Sequence, residues 1–312
     1  MFGLISSEYN YSHFTRDKMA RDLNSRAFDR APEPGERAPD FTARTLTGDC
    51  IRLSDYRDSK NVVLTFGSAT CPMTAGSIAG MNELFDRYRS DDVEFLLVYV
   101  REAHPGDEIP AHESMSDKVR AAEILEEQEN VKMPLLVDDL KGSIHRKYGK
   151  LPNPTYLIDK SGRIAFRAQW TQAGIVEEAL QQLLKIQHAR GLDHAVVLGG
   201  EDRSVPVSYQ VLYSYRALQR GGSKAILDFQ DSMGLPGKMI VAGSRLIAPV
   251  VESPGKSMAV AALGLGVVAA ALYAGKALRR RRMMPRNPYD RYVFETPEAE
   301  TRGGTDYPAV GI

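Results

Sequence analysis

Cysteine is scarce in this 312-residue sequence, and neither sign of charge prevails. With only two cysteines, Cys50 and Cys71, a disulfide framework is excluded and a reducing compartment is favoured. Neither cysteine nor histidine occurs in pairs with the spacing of a zinc site, and we predict no metal and no cofactor. Basic and acidic residues both number 40, so the net charge is zero. This balance excludes nucleic-acid binders that depend on phosphate contacts.

Long apolar runs are also missing, with one exception near the C-terminus. Residues 1–31 form a polar arm without the apolar centre of a secretory signal. Residues 258–275 carry no charge, and as a helix they would be roughly 27 Å long, close to the thickness of a bilayer core. Lys256 and Lys276 flank this run and would reach the headgroups. We predict a single transmembrane helix at 257–278; an Ala- and Gly-rich soluble helix is the alternative.

The predicted membrane helix also bears on assembly and orientation. A small residue recurs at every fourth position and would allow a homodimer: Ala262, Gly266, Ala270 and Ala274. Residues 279–282 are all arginine, and the positive-inside rule would place them in the cytoplasm. Because no leader precedes the long N-terminal part, we nevertheless expect a single-pass protein whose catalytic domain is cytoplasmic.

Strand and helix patterns alternate through residues 32–190. The predicted elements are a hairpin (38–43, 50–53), strand–helix–strand (61–66, 73–89, 93–100), a helix (116–129), a strand (135–137), a helix (142–148), a hairpin (155–159, 163–167) and a helix (175–187). This order predicts an α/β three-layer sandwich with a mixed central sheet. Residues 191–256 form a small extension of unknown role, helical at 209–220 and strand-like at 239–241. Residues 279–312 form a basic and then disordered tail.

Cys71 lies where the predicted strand 61–66 passes into the helix 73–89. Pro72 suits a first helical turn, where its missing N–H costs nothing. The sulfur would therefore meet the unpaired amides and the dipole of a helix N-terminus, which lower a thiol pKa and produce a nucleophile. A buried, unreactive core cysteine is the alternative. The second cysteine of a Cys-x-x-Cys dithiol centre would be residue 74, which is a threonine here (Thr74), so such a centre is excluded.

The segment around Cys71 resembles a known family. Residues 66–72 (FGSATCP) are similar to the iodothyronine deiodinase motif, in which selenocysteine occupies the position of Cys71. Residues 97–107 are similar to that family's second strand and Glu-Ala-His segment, and residues 112–118 to the His-containing segment that opens the next helix. The resemblance covers residues 34–186 and implies a thioredoxin-like fold.

The resemblance also implies roles for individual residues. Cys71 would be the catalytic nucleophile. Three polar residues would handle the substrate and protons: Glu102, His104 and His112. Thr70, within the motif, is an expected substrate-binding residue. Pro154 is the second expected substrate-binding residue, because it resembles the cis-proline that faces the cysteine in the broader thioredoxin fold.

Two departures from the family pattern affect the chemistry. Cys71 replaces selenocysteine, and a thiol with an ordinary pKa of about 8.5 is mostly protonated at neutral pH. Ala69 replaces a cysteine that the family often carries, which leaves Cys50 as the only internal residue that could resolve an oxidised Cys71. A half-buried strand residue without a redox role is the alternative for Cys50. We therefore expect an external thiol reductant as a partner.

Three functions remain open on the sequence. The first is a deiodinase-like thiol oxidoreductase that removes iodine from a small iodinated aromatic molecule, a thyroxine 5'-deiodinase-like activity, with His112 or Glu102 protonating the ring. The second is a peroxiredoxin-like thiol peroxidase or redox sensor, suggested by the spacing of Ser68 and Cys71. The third is a redox-inert, membrane-tethered interaction module. An inert Cys71 would have an ordinary or raised pKa.

Overall fold

The computed structural model describes residues 9–23, 31–89, 92–197 and 207–251. All of them belong to one unit that extends to Ser257, and residues 258–312 form a second unit. The predicted membrane helix at 257–278 and the predicted tail at 279–312 both lie outside the described residues. None of the helices in the described ranges combines the length and the hydropathy that a membrane crossing requires.

Seven strands form one mixed sheet in the order β2-β1-β5-β4-β3-β6-β7. The strands are β1 (Thr42–Thr45), β2 (Cys50–Arg52), β3 (Asn61–Gly67), β4 (Val93–Tyr99), β5 (Leu135–Val137), β6 (Thr155–Ile158) and β7 (Ile164–Ala168). The central pairs β3–β4 and β4–β5 are parallel, and the other pairs are antiparallel. This confirms the predicted thioredoxin-like α/β fold with its two hairpins and mixed sheet.

The helices of the sandwich are also confirmed, within one turn at each end. The α-helices of the described ranges are α1 (Arg16–Asp22), α2 (Pro72–Tyr88), α3 (Met115–Glu129), α4 (Ser143–Lys147), α5 (Ala173–Arg190), α6 (Val207–Tyr213), α7 (Tyr215–Gly221), α8 (Ser223–Met233) and α9 (Leu235–Val251). The strand predicted at 239–241 is wrong, because these residues lie inside α9. A three-residue apolar run has too little periodicity to distinguish a strand from a helix.

The sheet separates two apolar cores. Val63 and Leu97 belong to the core that also holds side chains of α2, α3 and α5. Their neighbours Val62, Leu64 and Leu96 belong to the core on the opposite face. Strands that are buried on both faces show continuous apolar runs instead of alternation, which is the pattern of the sequence at 61–66 and 93–100.

A third core joins the N-terminal arm to the extension. Tyr11 and Phe14 precede α1 and pack with Leu218, Phe229 and Val241 of α7, α8 and α9. The arm is thus polar in composition but contributes buried aromatic side chains. The two segments together form a cover beside the Cys71 corner, and we call residues 9–23 and 207–251 the cover below.

Candidate active site

Cys71 is the N-cap residue of α2, directly before Pro72 in the first turn, as predicted. Its side chain is only 1% exposed. This burial raises the pKa of the Cys71 thiol to about 11, although hydrogen bonds from the Thr74 hydroxyl and from the amides of Thr74 and Met73 act to lower it. The expected helix-terminal donors are therefore present, but desolvation outweighs them.

The prediction of a lowered pKa for the Cys71 thiol is accordingly wrong for this closed arrangement. A strand-to-helix corner alone would leave the sulfur accessible. Here Cys71 packs with Met73, Ala103 and Trp170, and the cover closes the remaining side. With a pKa of about 11, about one thiol in 10⁴ is ionised at pH 7.

A small apolar cavity of about 50 Å³ adjoins Cys71. Half of the residues that line it belong to the cover: Phe14, Met19, Asp22, Leu23, Val211, Phe229 and Met233. The other half are Cys71, Pro72, Met73, Ala103, His104, Pro152 and Trp170. Sites for drug-sized molecules enclose roughly 300 Å³ or more, so a substrate with two aromatic rings requires the cover to move.

His104 lines the same cavity as Cys71. Its ring lies between two aromatic rings of the cover, with centroid distances of 4.2 Å to Phe14 and 5.7 Å to Phe229. Burial lowers the pKa of His104 to about 3, against the opposing charge of Glu102, so the imidazole is neutral at pH 7. Its Nδ1 has no hydrogen-bond partner among the described residues, which leaves this buried atom available to a ligand.

Glu102 is the centre of a buried polar network behind the cavity. Its Oε2 accepts hydrogen bonds from the amide (2.9 Å) and the hydroxyl (2.6 Å) of Thr70, and the hydroxyl of Tyr99 donates to Oε1. His112 Nε2 lies 3.2 Å from Oε1. Burial acts to raise the pKa of Glu102, but His112, Thr70 and Tyr99 together hold it below the usual range. Glu102 is thus an ionised carboxylate that accepts hydrogen bonds and carries no proton to donate, which leaves His112 as the candidate acid.

Thr70 connects this network to the cavity. Its hydroxyl donates to Glu102 and accepts a hydrogen bond from the amide of His104, 3.0 Å away. Thr70 is fully buried and is not among the residues that line the cavity. The structure therefore places the predicted residues in two layers, with Cys71 and His104 at the cavity and Glu102 and His112 behind Thr70.

Pro154 does not face Cys71 across the cavity. No peptide bond in the described ranges is cis, so the prediction of a cis-proline is wrong. The carbonyl of Pro154 accepts a hydrogen bond from the Phe66 amide (3.2 Å), which continues the antiparallel pairing of β6 with β3. Pro152, two residues earlier, lines the cavity instead.

His112 lies just before the capping box that opens α3, where the resemblance placed it. It is buried, with 3% of its surface exposed. Its ring centroid is 5.9 Å from that of Tyr99. His112 is buried because its imidazole lies against the buried Glu102 carboxylate, which needs a polar partner.

Two residues of the site were missed by sequence reasoning. Tyr99 ends β4, and its hydroxyl accepts a hydrogen bond from the Ala69 amide (3.2 Å) while donating to Glu102. The apolar run of β4 suggested only a core position for it. Arg220 of α7 donates to the Ala69 carbonyl (3.0 Å), and no local pattern marks a partner 151 positions away.

Cys50 is too distant to resolve Cys71 in this fold. It is exposed on the edge strand β2, whereas Cys71 follows β3. Strands β1, β5 and β4 lie between them, which corresponds to about 19 Å at the usual strand spacing. A disulfide requires Cα atoms within about 7 Å.

A thioredoxin-like sheet with one cysteine at the N-terminus of its first long helix defines a single-cysteine protein of the thioredoxin fold. Within that class the chain belongs to the iodothyronine deiodinase family, whose family model matches residues 14–188. That match includes every residue of the two layers described above and ends before α6.

Curated relatives are similar over the same part of the chain. Type I iodothyronine deiodinase of Xenopus laevis is 29% identical over 160 residues, which is 48% of this chain and 62% of that protein. Thyroxine 5-deiodinase of Ovis aries is 34% identical over 125 residues, 37% of this chain and 42% of that protein. The chain thus spans less than two thirds of the length of either relative.

A solved structure shows a more distant likeness. The exposed lipoprotein thioredoxin Etrx1 of Streptococcus pneumoniae is 25% identical, with a TM-score of 0.38, and the alignment covers 46% of this chain and 100% of that one. At that TM-score the alignment adds nothing to the sheet order described above.

Proposed function

We propose that this protein is a deiodinase-like thiol oxidoreductase that removes iodine from an aromatic ring. The observation that carries the proposal is that Cys71 and His104 line one apolar cavity, with Nδ1 of His104 unpaired among the described residues. The apolar wall suits an aromatic ring, and the free imidazole nitrogen suits a ring hydroxyl. Membership of the deiodinase family supports the reaction class.

In the proposed reaction, Cys71 gives up its proton and attacks the iodine atom. The S–I bond forms as the C–I bond breaks, and the electron pair of that bond takes up a proton at the ring carbon. The net change converts a thiol and an iodoarene into a sulfenyl iodide and an arene. The thiol proton leaves to the water that enters when the cover opens. His104 lines the cavity, and its Nδ1, unpaired among the described residues, would hold the ring hydroxyl. His112 is the candidate donor of the proton that the ring carbon takes up.

Regeneration of Cys71 needs an external reductant in this proposal. One thiol displaces iodide from sulfur and forms a mixed disulfide, and a second thiol releases Cys71 while the two external sulfurs become a disulfide. The distance of Cys50 supports this requirement, since β2 lies at the far edge of the sheet from β3.

The raised pKa of Cys71, caused by burial, favours a second candidate: the redox-inert interaction module. The two candidates differ in whether the cover opens. If it opens, the Thr74 and Met73 amides and the Thr74 hydroxyl can stabilise a thiolate that water also reaches. If it stays closed, the thiol is neutral and inaccessible.

The test uses the full chain, without oxygen, with 2-iodophenol, hydrogen peroxide or neither, followed by dithiothreitol. The proposal expects iodide release that Cys71→Ser abolishes and Cys50→Ser retains, with a mass change on the Cys71 peptide before reduction. Oxidation by peroxide without iodide release would support the thiol peroxidase instead. No change with either reagent would support the inert module.

We also propose that residues 257–278 hold the chain at a membrane, with the catalytic unit in the cytoplasm. The support is the uncharged run at 258–275 between Lys256 and Lys276. The full chain should sediment with membranes after alkaline carbonate washing, and recovery in the supernatant would contradict the proposal.

A further inference from the structure

We propose that α9 rests on the surface of a lipid bilayer through an exposed apolar stripe. The stripe consists of Leu235, Met239, Ala242 and Leu246. These positions follow the spacing i, i+4, i+7 and i+11, so they share one face of the helix. Leu235, Met239 and Leu246 are 71%, 56% and 78% exposed, and Ala242 is exposed as well.

The other side of α9 already has a partner within the fold. Val241 is 1% exposed and belongs to the third core, and Ser244 is fully buried. The stripe therefore does not serve the packing of the cover. Three large exposed apolar side chains in one row, with an exposed alanine between them, on a helix that is otherwise docked mark a surface for an external partner.

The charges of α9 favour a lipid surface as that partner. The helix contains no acidic residue, and its two charged side chains are basic, Lys238 and Arg245. They are seven residues apart, so they lie on one flank of the stripe, and both are exposed. An apolar stripe flanked by cations is the arrangement of helices that lie in the headgroup region of anionic membranes.

The position of α9 in the chain supports the same partner. The helix ends at Val251, and the uncharged run begins at residue 258. A fully extended chain of that length spans at most about 25 Å, so the end of α9 cannot lie far from a membrane that contains this run. The inference rests on the proposal that residues 257–278 enter a membrane.

This placement would also bear on access to Cys71. α9 packs with α8 in the third core, and Phe229 of α8 lines the cavity. A docked α9 would bring the cover to the bilayer surface, where apolar aromatic molecules concentrate.

The test is depth measurement in the full chain. A bimane label is attached at Met239→Cys or Leu246→Cys, in a background that carries Cys50→Ser and Cys71→Ser, so that the introduced cysteine alone is labelled. Glu123→Cys, at an exposed site on α3, is the control. The chain is reconstituted into phosphatidylcholine vesicles with and without phosphatidylglycerol, and brominated lipid or aqueous iodide is added as quencher.

We expect brominated lipid to quench the labels at 239 and 246 severalfold more than the label at 123, at every protein density and more strongly with phosphatidylglycerol. Adding Lys238→Gln and Arg245→Gln should remove the phosphatidylglycerol dependence. Three outcomes would overturn the proposal. Iodide could quench the labels at 239 and 246 as strongly as the label at 123, or the chain could fail to enter the vesicles. The labels could also become protected from iodide as protein density rises, without quenching by lipid, which is what contact with a second copy would cause. The iodide-release assay on 2-iodophenol is independent of all three.

Discussion

Arg220 donates a hydrogen bond from Nη1 to the carbonyl oxygen of Ala69, 3.0 Å away, two residues before Cys71. Its guanidinium also forms an ion pair with Glu129, whose side chain is 5% exposed and which Arg216 contacts at 2.6 Å. α7 lies outside residues 14–188, the part that matches the family. The extension thus contributes directly to the loop that carries the thiol.

Replacing Arg220 should both destabilise the protein and loosen that loop. Arg220→Ala leaves Arg216 as the one cation that contacts the buried Glu129 carboxylate among the described residues. We expect a loss of about 3 kcal/mol in the free energy of unfolding, measured by urea titration. Alkylation of Cys71 by iodoacetamide should become faster than in the native chain. Arg190→Ala, at an exposed site on α5, is the matched control. A loss below about 0.5 kcal/mol would show that the ion pair is not structural.

The cover should control access to Cys71 through one contact between arm and extension. Asp228 of α8 accepts a hydrogen bond from the Phe14 amide (3.2 Å) and lies 3.1 Å from His13 Nδ1. Losing a hydrogen bond to a charged group costs about 1.5 kcal/mol, so Asp228→Asn should speed alkylation of Cys71 about tenfold. Cys50 in the same sample should react at an unchanged rate.

Asp231→Asn is the control for this prediction, because Asp231 lies on the same helix and is exposed. Peptide mass spectrometry gives the two alkylation rates separately. Equal rates at Cys71 in both variants would mean that the arm does not limit access.

The sequence predicted the sandwich well because its elements carry strong local patterns. The change of period around Cys71 placed that residue at the start of a helix, and the apolar runs of β3 and β4 marked central strands. The same patterns gave no information on exposure of the thiol. Burial of Cys71 depends on Phe14 and Phe229, which are far apart in sequence and share no periodic signal.

The sequence predicted which residues form the candidate site, but not how those residues are arranged. The family resemblance brought Glu102, His104 and His112 together. In the structure Glu102 and His104 both contact Thr70, and His112 contacts Glu102. Which of them is neutral depends on burial by the cover, which the sequence does not reveal. The role of Tyr99 could not be predicted, because a tyrosine within an apolar strand is typical of a core position.

His112 should contribute to both activity and stability. His112→Ala should lower kcat/KM for the substrate that reacts at Cys71 by about 10²-fold if it is an acid. Because the side chain is buried against Glu102, the free energy of unfolding should also fall, by about 1 to 3 kcal/mol. His112→Gln keeps a donor for Glu102 and should restore stability but not activity. Recovery of both would assign His112 a structural role only.

Two buried histidines should make the fold sensitive to mild acid. Burial lowers the pKa of His104 to about 3 and holds that of His145 well below the usual value. Both are neutral in the folded chain but take up a proton in the unfolded chain below a pH of about 6.5. For His104 the unfolded state therefore binds more protons between pH 6.5 and 3, and stability is lost as the pH falls through this range, by about 1.4 kcal/mol per pH unit. His145 acts in the same direction.

Between pH 6.5 and 5, protonation linked to His104 should thus cost about 2 kcal/mol of stability. Asp22 opposes this in part, because burial raises its pKa to about 6 and the folded chain then gains a proton first. His104→Gln should remove its share of the pH dependence in urea titrations at pH 8, 6.5 and 5, whereas His188→Gln, at an exposed site, should change nothing. An unaltered pH dependence in His104→Gln would mean that His104 is accessible to protons in the folded chain, and that the cover does not seal the cavity.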